Sequence, residues 1–196
     1  MKTTEFQGRT AAHPIEDFIL QRWSSRAMSG ESVSEEELMS LFEAASWAPS
    51  SGNEQPWRFV YARKGTPYWK DFFDLLKPGN QEWCARAAVL IITISRKTWE
   101  EDDSPNQTHS FDTGAAWENL ALQGIASNIV VHGMAGFDYE KAHSLLELPE
   151  QYAIEMMIAL GKPGKGKNLS EKNRAREKLS NRKPLHDFVF EGRFSQ

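Results

Sequence analysis

Residues 87–95 read AAVLIITIS, an unbroken apolar run dominated by β-branched side chains. A strand with one wet face alternates apolar and polar residues, so a run without alternation predicts a strand buried on both faces. Helices must then cover both sides of the sheet that holds it. Residues 152–160 (YAIEMMIAL) predict a second strongly apolar strand, residues 57–62 (WRFVYA) a third, and residues 129–131 a short strand or turn.

Helical patterns fill the intervals. Pro14 followed by Ile15, Phe18 and Ile19 predicts a helix running toward Arg22. Ser34 and Glu37 form a capping box ahead of Leu38, Leu41, Phe42 and Ala45, and Pro49 stops that helix. Residues 67–77, 111–127, 139–148 and 170–179 carry further helical spacing, the second of these with small residues that permit close packing. Residues 98–110 (TWEEDDSPNQTHS) are polar and acidic around a proline and predict a loop or mobile lid. The chain reads as one domain over 1–196, with residues 1–13 as a loose N-terminal arm. Residues 182–196 form a tail whose apolar beads, Leu185, Phe188, Val189, Phe190 and Phe194, call for a surface, naturally that of a partner subunit.

Composition narrows the function classes. Twenty-seven acidic against 23 basic residues leave a net charge of −4, which argues against nucleic acid as a partner. The single cysteine, Cys84, next to the apolar run, reads as a packed thiol, and no metal-style Cys pair exists. His13, His109, His132, His143 and His186 are scattered without ligand spacing, so no metal is expected. The polar N-terminus lacks a signal-peptide core and no stretch approaches the ~20 apolar residues of a membrane span. A cytoplasmic protein with no membrane attachment is the expectation.

Two constellations carry chemistry. The first, Arg22-Trp23-Ser24-Ser25-Arg26, brackets two hydroxyls with two guanidinium groups, which suits a phosphate monoester. The alternative is that cations near a helix C-terminus simply oppose its dipole. The second is 48–57, APSSGNEQPW, where two prolines fix the backbone and Ser50, Ser51, Asn53 and Gln55 offer neutral donors and acceptors in a confined space. A flavin, with ribityl hydroxyls and a pyrimidine edge, needs such a wall; an ordinary Asx-type turn is the plainer explanation. The basic stretch 162–167 (KPGKGK) reads as a solvated turn or as a gate for a nicotinamide phosphate.

Arg-x-Ser-x-Arg followed about two dozen residues later by Ala-Pro-Ser-Ser-x-Asn-x-Gln-Pro-Trp resembles the nitroreductase-like family of FMN-dependent NAD(P)H oxidoreductases. Asn80, the segment Gly133-Met134-Ala135-Gly136-Phe137-Asp138, Leu160-Gly161-Lys162-Pro163 and Asn181-Arg182-Lys183-Pro184-Leu185 fall in the same order as in that family. The resemblance implies an α+β fold, a central mostly antiparallel sheet flanked by helices, in an intertwined homodimer with FMN at the interface. It places Arg22 and Ser24 at the phosphate and ribityl end within the 22–26 motif, and Arg26 at the pyrimidine edge as a possible electrostatic stabiliser. Pro49, Ser50, Ser51, Asn53 and, in the same motif, Gln55 would come from the opposite subunit. Asn80 would bond the pyrimidine edge, Met134, Ala135 and Gly136 would run beside the ring, and Arg182 or Lys183 would bind the phosphate. The chain departs from the family in two ways: only the acidic loop 98–110 stands where longer members insert pocket-forming helices, and Ala135 stands where some carry an acid.

The implied activity is hydride transfer from NAD(P)H to a small organic acceptor such as a nitroaromatic or quinone by a ping-pong mechanism. No catalytic side chain is needed, because the cofactor carries the chemistry. A flavin-binding or flavin-storing protein without turnover, or a reductase of an enal or a halogenated phenol, is the alternative.

Overall fold

A computed structural model describes residues 5–194; residues 1–4 of the expected arm and 195–196 of the expected tail lie outside the described residues. In chain order these form β1 (Glu5–Phe6), β2 (Arg9–Thr10), α1 (Asp17–Gln21), α2 (Glu35–Ser46), β3 (Trp57–Arg63), α3 (Trp69–Phe73), α4 (Pro78–Cys84), β4 (Val89–Arg96), α5 (His109–Ala126), β5 (Val130–Met134), α6 (Tyr139–Leu145), β6 (Tyr152–Gly161) and α7 (Glu171–Ala175). The main sheet has the order β3-β4-β6-β5, and every neighbouring pair is antiparallel.

The apolar run is β4, a central strand buried from Val89 to Ser95. Its side chains alternate between two cores. Leu90, Ile92 and Ile94 join Met157 and Ala159 of β6 against Phe72, Leu76, Trp83 and Phe137. Val89 and Ile91 join Ile158 and Leu160 against Leu38 and Leu41 of α2 and Leu120 of α5. Full burial of each of these leucines contributes about 1.5–3 kcal/mol. The expected α+β architecture, an antiparallel sheet between helical layers, is what these residues build.

Local signals explain most element ends. Ser34 Oγ accepts from the Glu37 N–H at 3.1 Å while the Glu37 carboxylate accepts from the Ser34 N–H at 2.9 Å, so the capping box opens α2. A register shift between β4 and β6 at Thr93/Ile94 turns Glu155 onto the hydroxyls of Ser95 and Ser110, tying β6 to the start of α5. Helix α4 had no separate signal in the sequence: its seven residues, begun by Pro78, are too few for a periodic pattern.

The helices expected over 67–77 and 139–148 are shorter, Trp69–Phe73 and Tyr139–Leu145, and two expectations near the chain ends need correction. The stretch expected as a loose arm is a hairpin over residues 5–10, because Arg9 is 6% exposed and its guanidinium donates to three backbone carbonyls. The helix expected over 170–179 is only Glu171–Ala175, capped by Ser170 accepting from the Asn173 N–H. The tail remains largely exposed, Phe194 at 77%. Among the described residues no helix is long and apolar enough to cross a membrane.

The chain needs glycine where α5 meets β5. A Cβ on Gly124 would lie 2.5 Å from Val131 Cγ2 and 2.9 Å from the Ile129 carbonyl oxygen. Overpacking of about 1–3 kcal/mol outweighs the ~1 kcal/mol that alanine gains by helix propensity, so Gly124→Ala should lower the urea midpoint. An unchanged or higher midpoint would show that the two elements have room to separate.

Candidate functional site

Helix α1 ends at Gln21, and Arg22 already has extended dihedrals. An extended chain sends successive side chains to different sides. Arg22 lines a cavity of about 680 Å³ together with Arg9, Glu118, Ser180, Arg182 and Lys183. Trp23 and Ser25 line a second, of about 540 Å³, beside the end of α5. Arg26 lines a third, of about 340 Å³, with Trp83 and Arg86. Ser24 is half-buried. The five-residue motif is therefore divided among three environments.

Arg22 is not a helix-dipole cation. Its Nε lies 3.3 Å from the Glu118 carboxylate, its guanidinium sits 5.9 Å from the centroid of the Trp117 ring, and its Nη1 is buried without a hydrogen-bond partner. The charges of Arg22 and Arg182 both act on this carboxylate, and Arg9 lines the same cavity. Burial pushes the Glu118 carboxyl above its ordinary range, outweighing the downward pull of Arg22 and Arg182. Burial lowers the Arg9 guanidinium, and repulsion from Arg182 and Arg22 lowers it further. A cationic cavity with an unsatisfied buried guanidinium N–H fits a multiply charged oxyanion.

Ser25 faces inward instead. It is 6% exposed, its hydroxyl donates to Glu177, and that carboxylate also accepts from the N–H groups of Arg26 at 2.9 Å and Ala27 at 3.1 Å. The Ser25 carbonyl accepts from Nδ1–H of His132 at 2.9 Å. The His132 ring lies 4.4 Å from Trp83, whose Nε1–H donates to Asn80 Oδ1 at 3.2 Å, and Asn80 Nδ2 donates to the Gly136 carbonyl at 2.9 Å. A polar chain thus joins the 22–26 segment, Asn80 and the 134–136 segment, three groups that sequence reasoning kept apart. Its links Glu177 and His132 were missed. Each lies in no motif, and only the fold brings it to Ser25.

The same chain limits what the predicted residues can offer. An amide has two N–H groups and two carbonyl lone pairs, so Asn80 keeps one of each for a ligand. A Cβ at Gly136 would sit 2.5 Å from Asn80 Nδ2, which explains glycine there. Met134 is buried with its sulfur 3.8 Å from that of Cys84, so its side chain is core; Ala135 is exposed. Burial pushes the Cys84 thiol far upward, leaving it without thiolate chemistry at neutral pH.

The 49–55 wall is pinned to the start of α5: Asp112 Oδ2 accepts from the Ser51 N–H at 3.1 Å. Ser50 Oγ accepts from the Gln55 N–H, and Gln55 Nε2 donates to the Asn53 carbonyl. Asn53 and Gln55 take left-handed φ values of 58° and 52°, a strained arrangement for residues other than glycine. Pro49, Ser51, Asn53 and Gln55 are exposed and Ser50 is half-buried. Asp112 and Glu118 are about 9 Å apart along α5 at 1.5 Å per residue, so the wall and the Arg22 cavity meet different parts of that helix.

The loop expected as an acidic, mobile lid is tied down. Arg96 pairs with Asp103 at 2.9 Å and Glu100 at 3.2 Å, Arg58 pairs with Glu100 at 2.7 Å, and Thr98 bridges to Pro105. Half of its four acids are thereby neutralised within the chain. The 162–167 turn packs against the site segment: Met28 bridges to Pro163 and Gly164 N–H donates to the Ala27 carbonyl at 2.8 Å. Among the described residues no group of three or more His, Cys, Asp or Glu side chains could hold a metal ion.

Fold and site together define an α+β protein whose central antiparallel sheet backs a cationic cradle and a neutral polar wall. The chain belongs to the nitroreductase family, whose family model matches residues 19–162. A solved structure described as an oxidoreductase containing FMN superposes with a TM-score of 0.93, is 40% identical and covers 98% of both chains. A Desulfovibrio desulfuricans protein assigned as a nitroreductase and solved in complex with FMN has a TM-score of 0.71 at 26% identity, covering 94% of this chain and 100% of that one. Protein DrgA of Synechocystis sp. is 30% identical over 189 residues, covering 79% of this chain and 89% of DrgA.

His132 generates a test of the polar chain. Burial holds its pKa below the ordinary 6.5, and the nearby Arg26 and Arg22 lower it further against the opposing Ser25 carbonyl and Glu177. The unfolded chain then binds the proton more readily, so stability from neutral His132 is full above pH 6.5 and is lost as pH falls below it. The urea midpoint should drop between pH 7.5 and pH 5.5, and His132→Gln should flatten that drop. Equal slopes in the two proteins would mean that His132 titrates alike in both states.

Proposed function

We propose that the chain binds FMN and passes a hydride from NAD(P)H to a small organic acceptor, such as a nitroaromatic or a quinone. The observation that carries the reading is the cavity that Arg22 lines together with Arg9, Arg182 and Lys183, beside which Arg22 Nη1 is buried without a hydrogen-bond partner. The relatives described as an FMN-containing oxidoreductase, as a nitroreductase in complex with FMN, and, in Archaeoglobus fulgidus, by assignment as an NADH dehydrogenase/NAD(P)H nitroreductase support it.

FMN, when bound, supplies the hydride chemistry, and the protein supplies position and charge. Arg22 and Arg182 hold the phosphate. Arg182 is preferred over Lys183 because its charge is the one felt at both Arg9 and Glu118. Ser24 meets the ribityl chain, Arg26 brings positive charge to the pyrimidine edge, and Asn80 offers that edge its remaining N–H and lone pair. The backbone at Ala135 and Gly136 borders the ring. Pro49, Ser50, Ser51, Asn53 and Gln55 complete the site from a second copy of the chain. Trp47 and Phe111, 78% and 81% exposed, and the apolar tail are the surfaces that such a homodimer would cover. Donor and acceptor occupy the same place in turn, which gives ping-pong kinetics.

The purified protein should be yellow and release FMN on denaturation. Arg22→Ala and Arg182→Ala should each weaken FMN binding by roughly 1.5–3 kcal/mol, the range for hydrogen bonds to charged groups, while Lys165→Ala leaves it unchanged. A protein that takes up no FMN on titration defeats the reading, and one that binds FMN but oxidises neither NADH nor NADPH with any acceptor is a flavin carrier.

Light scattering supplies a second check. Flavin-loaded protein should run as a dimer, and dilution into monomers should release the flavin in step. A monomer that retains FMN would place the whole site within one chain.

A further inference from the structure

Arg9 stands outside the matched family region, ten residues before it, yet it touches both segments that carry the phosphate cations. Its Nη1 donates to the carbonyls of Leu20 at 2.7 Å and Arg22 at 3.0 Å, at the end of α1. Its Nε donates to the carbonyl of Ser180 at 3.1 Å, on the tail that leads to Arg182. These acceptors lie 11, 13 and 171 residues further along the chain. One planar guanidinium therefore fastens together two pieces of backbone that nothing local holds in register.

Arg9 is 6% exposed, and among the described residues it has no carboxylate within ion-pair distance. A buried cation near Arg22 and Arg182, with Glu118 as the nearby acid, is an arrangement that repels itself. A dianion placed between the cations reverses the sign of that interaction. We infer that Arg9 is a positioning residue for the cofactor phosphate: it bridges the end of α1 to the tail so that Arg22 and Arg182 converge on one oxyanion. The inference rests on the FMN reading and adds a residue to it.

Riboflavin, which lacks the phosphate, separates this function from general support of the fold. Full-length protein stripped of flavin is titrated with FMN and with riboflavin, following flavin fluorescence, for wild type, Arg9→Met, Arg9→Lys and Arg182→Ala. Arg9→Met should lose about tenfold or more of its FMN affinity, the scale of lost hydrogen bonds to a charged group. Its riboflavin affinity should stay within about twofold, as for substitutions remote from a ligand. Lysine keeps the charge but cannot span three carbonyls, so Arg9→Lys should show the same selective loss and not rescue.

Full rescue by lysine would overturn the bridging function and leave only charge. Equal losses for both flavins would overturn the assignment to the phosphate, as would FMN binding at the wild-type level in both variants. If Arg9→Met does not fold, Arg9→Lys decides alone by the same ratio. The Arg182→Ala control keeps the two levels distinct. When it loses FMN selectively and the Arg9 variants do not, the inference fails and the FMN reading stands; when wild type binds neither flavin, the reading itself fails.

Discussion

Strand β4 has no access to water on either face, so its peptide groups must find partners on both edges. β3 supplies one edge and β6 the other, each antiparallel. From this constraint the rest follows. Two buried faces require two helical layers, α2 and α5 on one side and the α3, α4 and α6 region on the other. The ends of the strands and the rims of those layers are then the only places where polar groups can gather.

Two kinds of polar organisation occupy that rim. The chain from Glu177 through Ser25, His132, Trp83 and Asn80 to Gly136 is satisfied within the protein except for one N–H and one lone pair of Asn80, and it fixes backbone from four parts of the sequence relative to one another. The cavity lined by Arg9, Arg22, Arg182 and Glu118 is the opposite, an excess of positive charge with one buried N–H of Arg22 left over beside it. A satisfied network costs little and gives rigidity, whereas an unsatisfied cluster costs stability unless a ligand completes it. The contrast is why the second is proposed as the binding element and the first as its support.

Much of this was legible in advance. The unbroken run 87–95 implied a doubly covered strand, Ser34 and Glu37 specified the start of α2, and the Arg22 to Arg26 and Pro49 to Gln55 motifs pointed to the candidate site. What was misread had common physical causes. The 5–10 hairpin and α4 are too short for periodicity to show. The acidic loop looked mobile because its ties to Arg58 on β3 and back to Arg96 at the end of β4 form only when the chain folds.

Sequence alone determined the layer architecture and the family, because hydrophobic periodicity and short motifs are local properties of the chain. Tertiary structure decided which members of each motif line a cavity and which are packed inside. It turned Ser25 and Met134 inward and left Arg22 in a cavity with Arg182. It alone recruited Arg9, Glu118, His132 and Glu177, since hydrogen bonds and Coulomb forces act over a few ångströms of space regardless of how many residues lie between the partners.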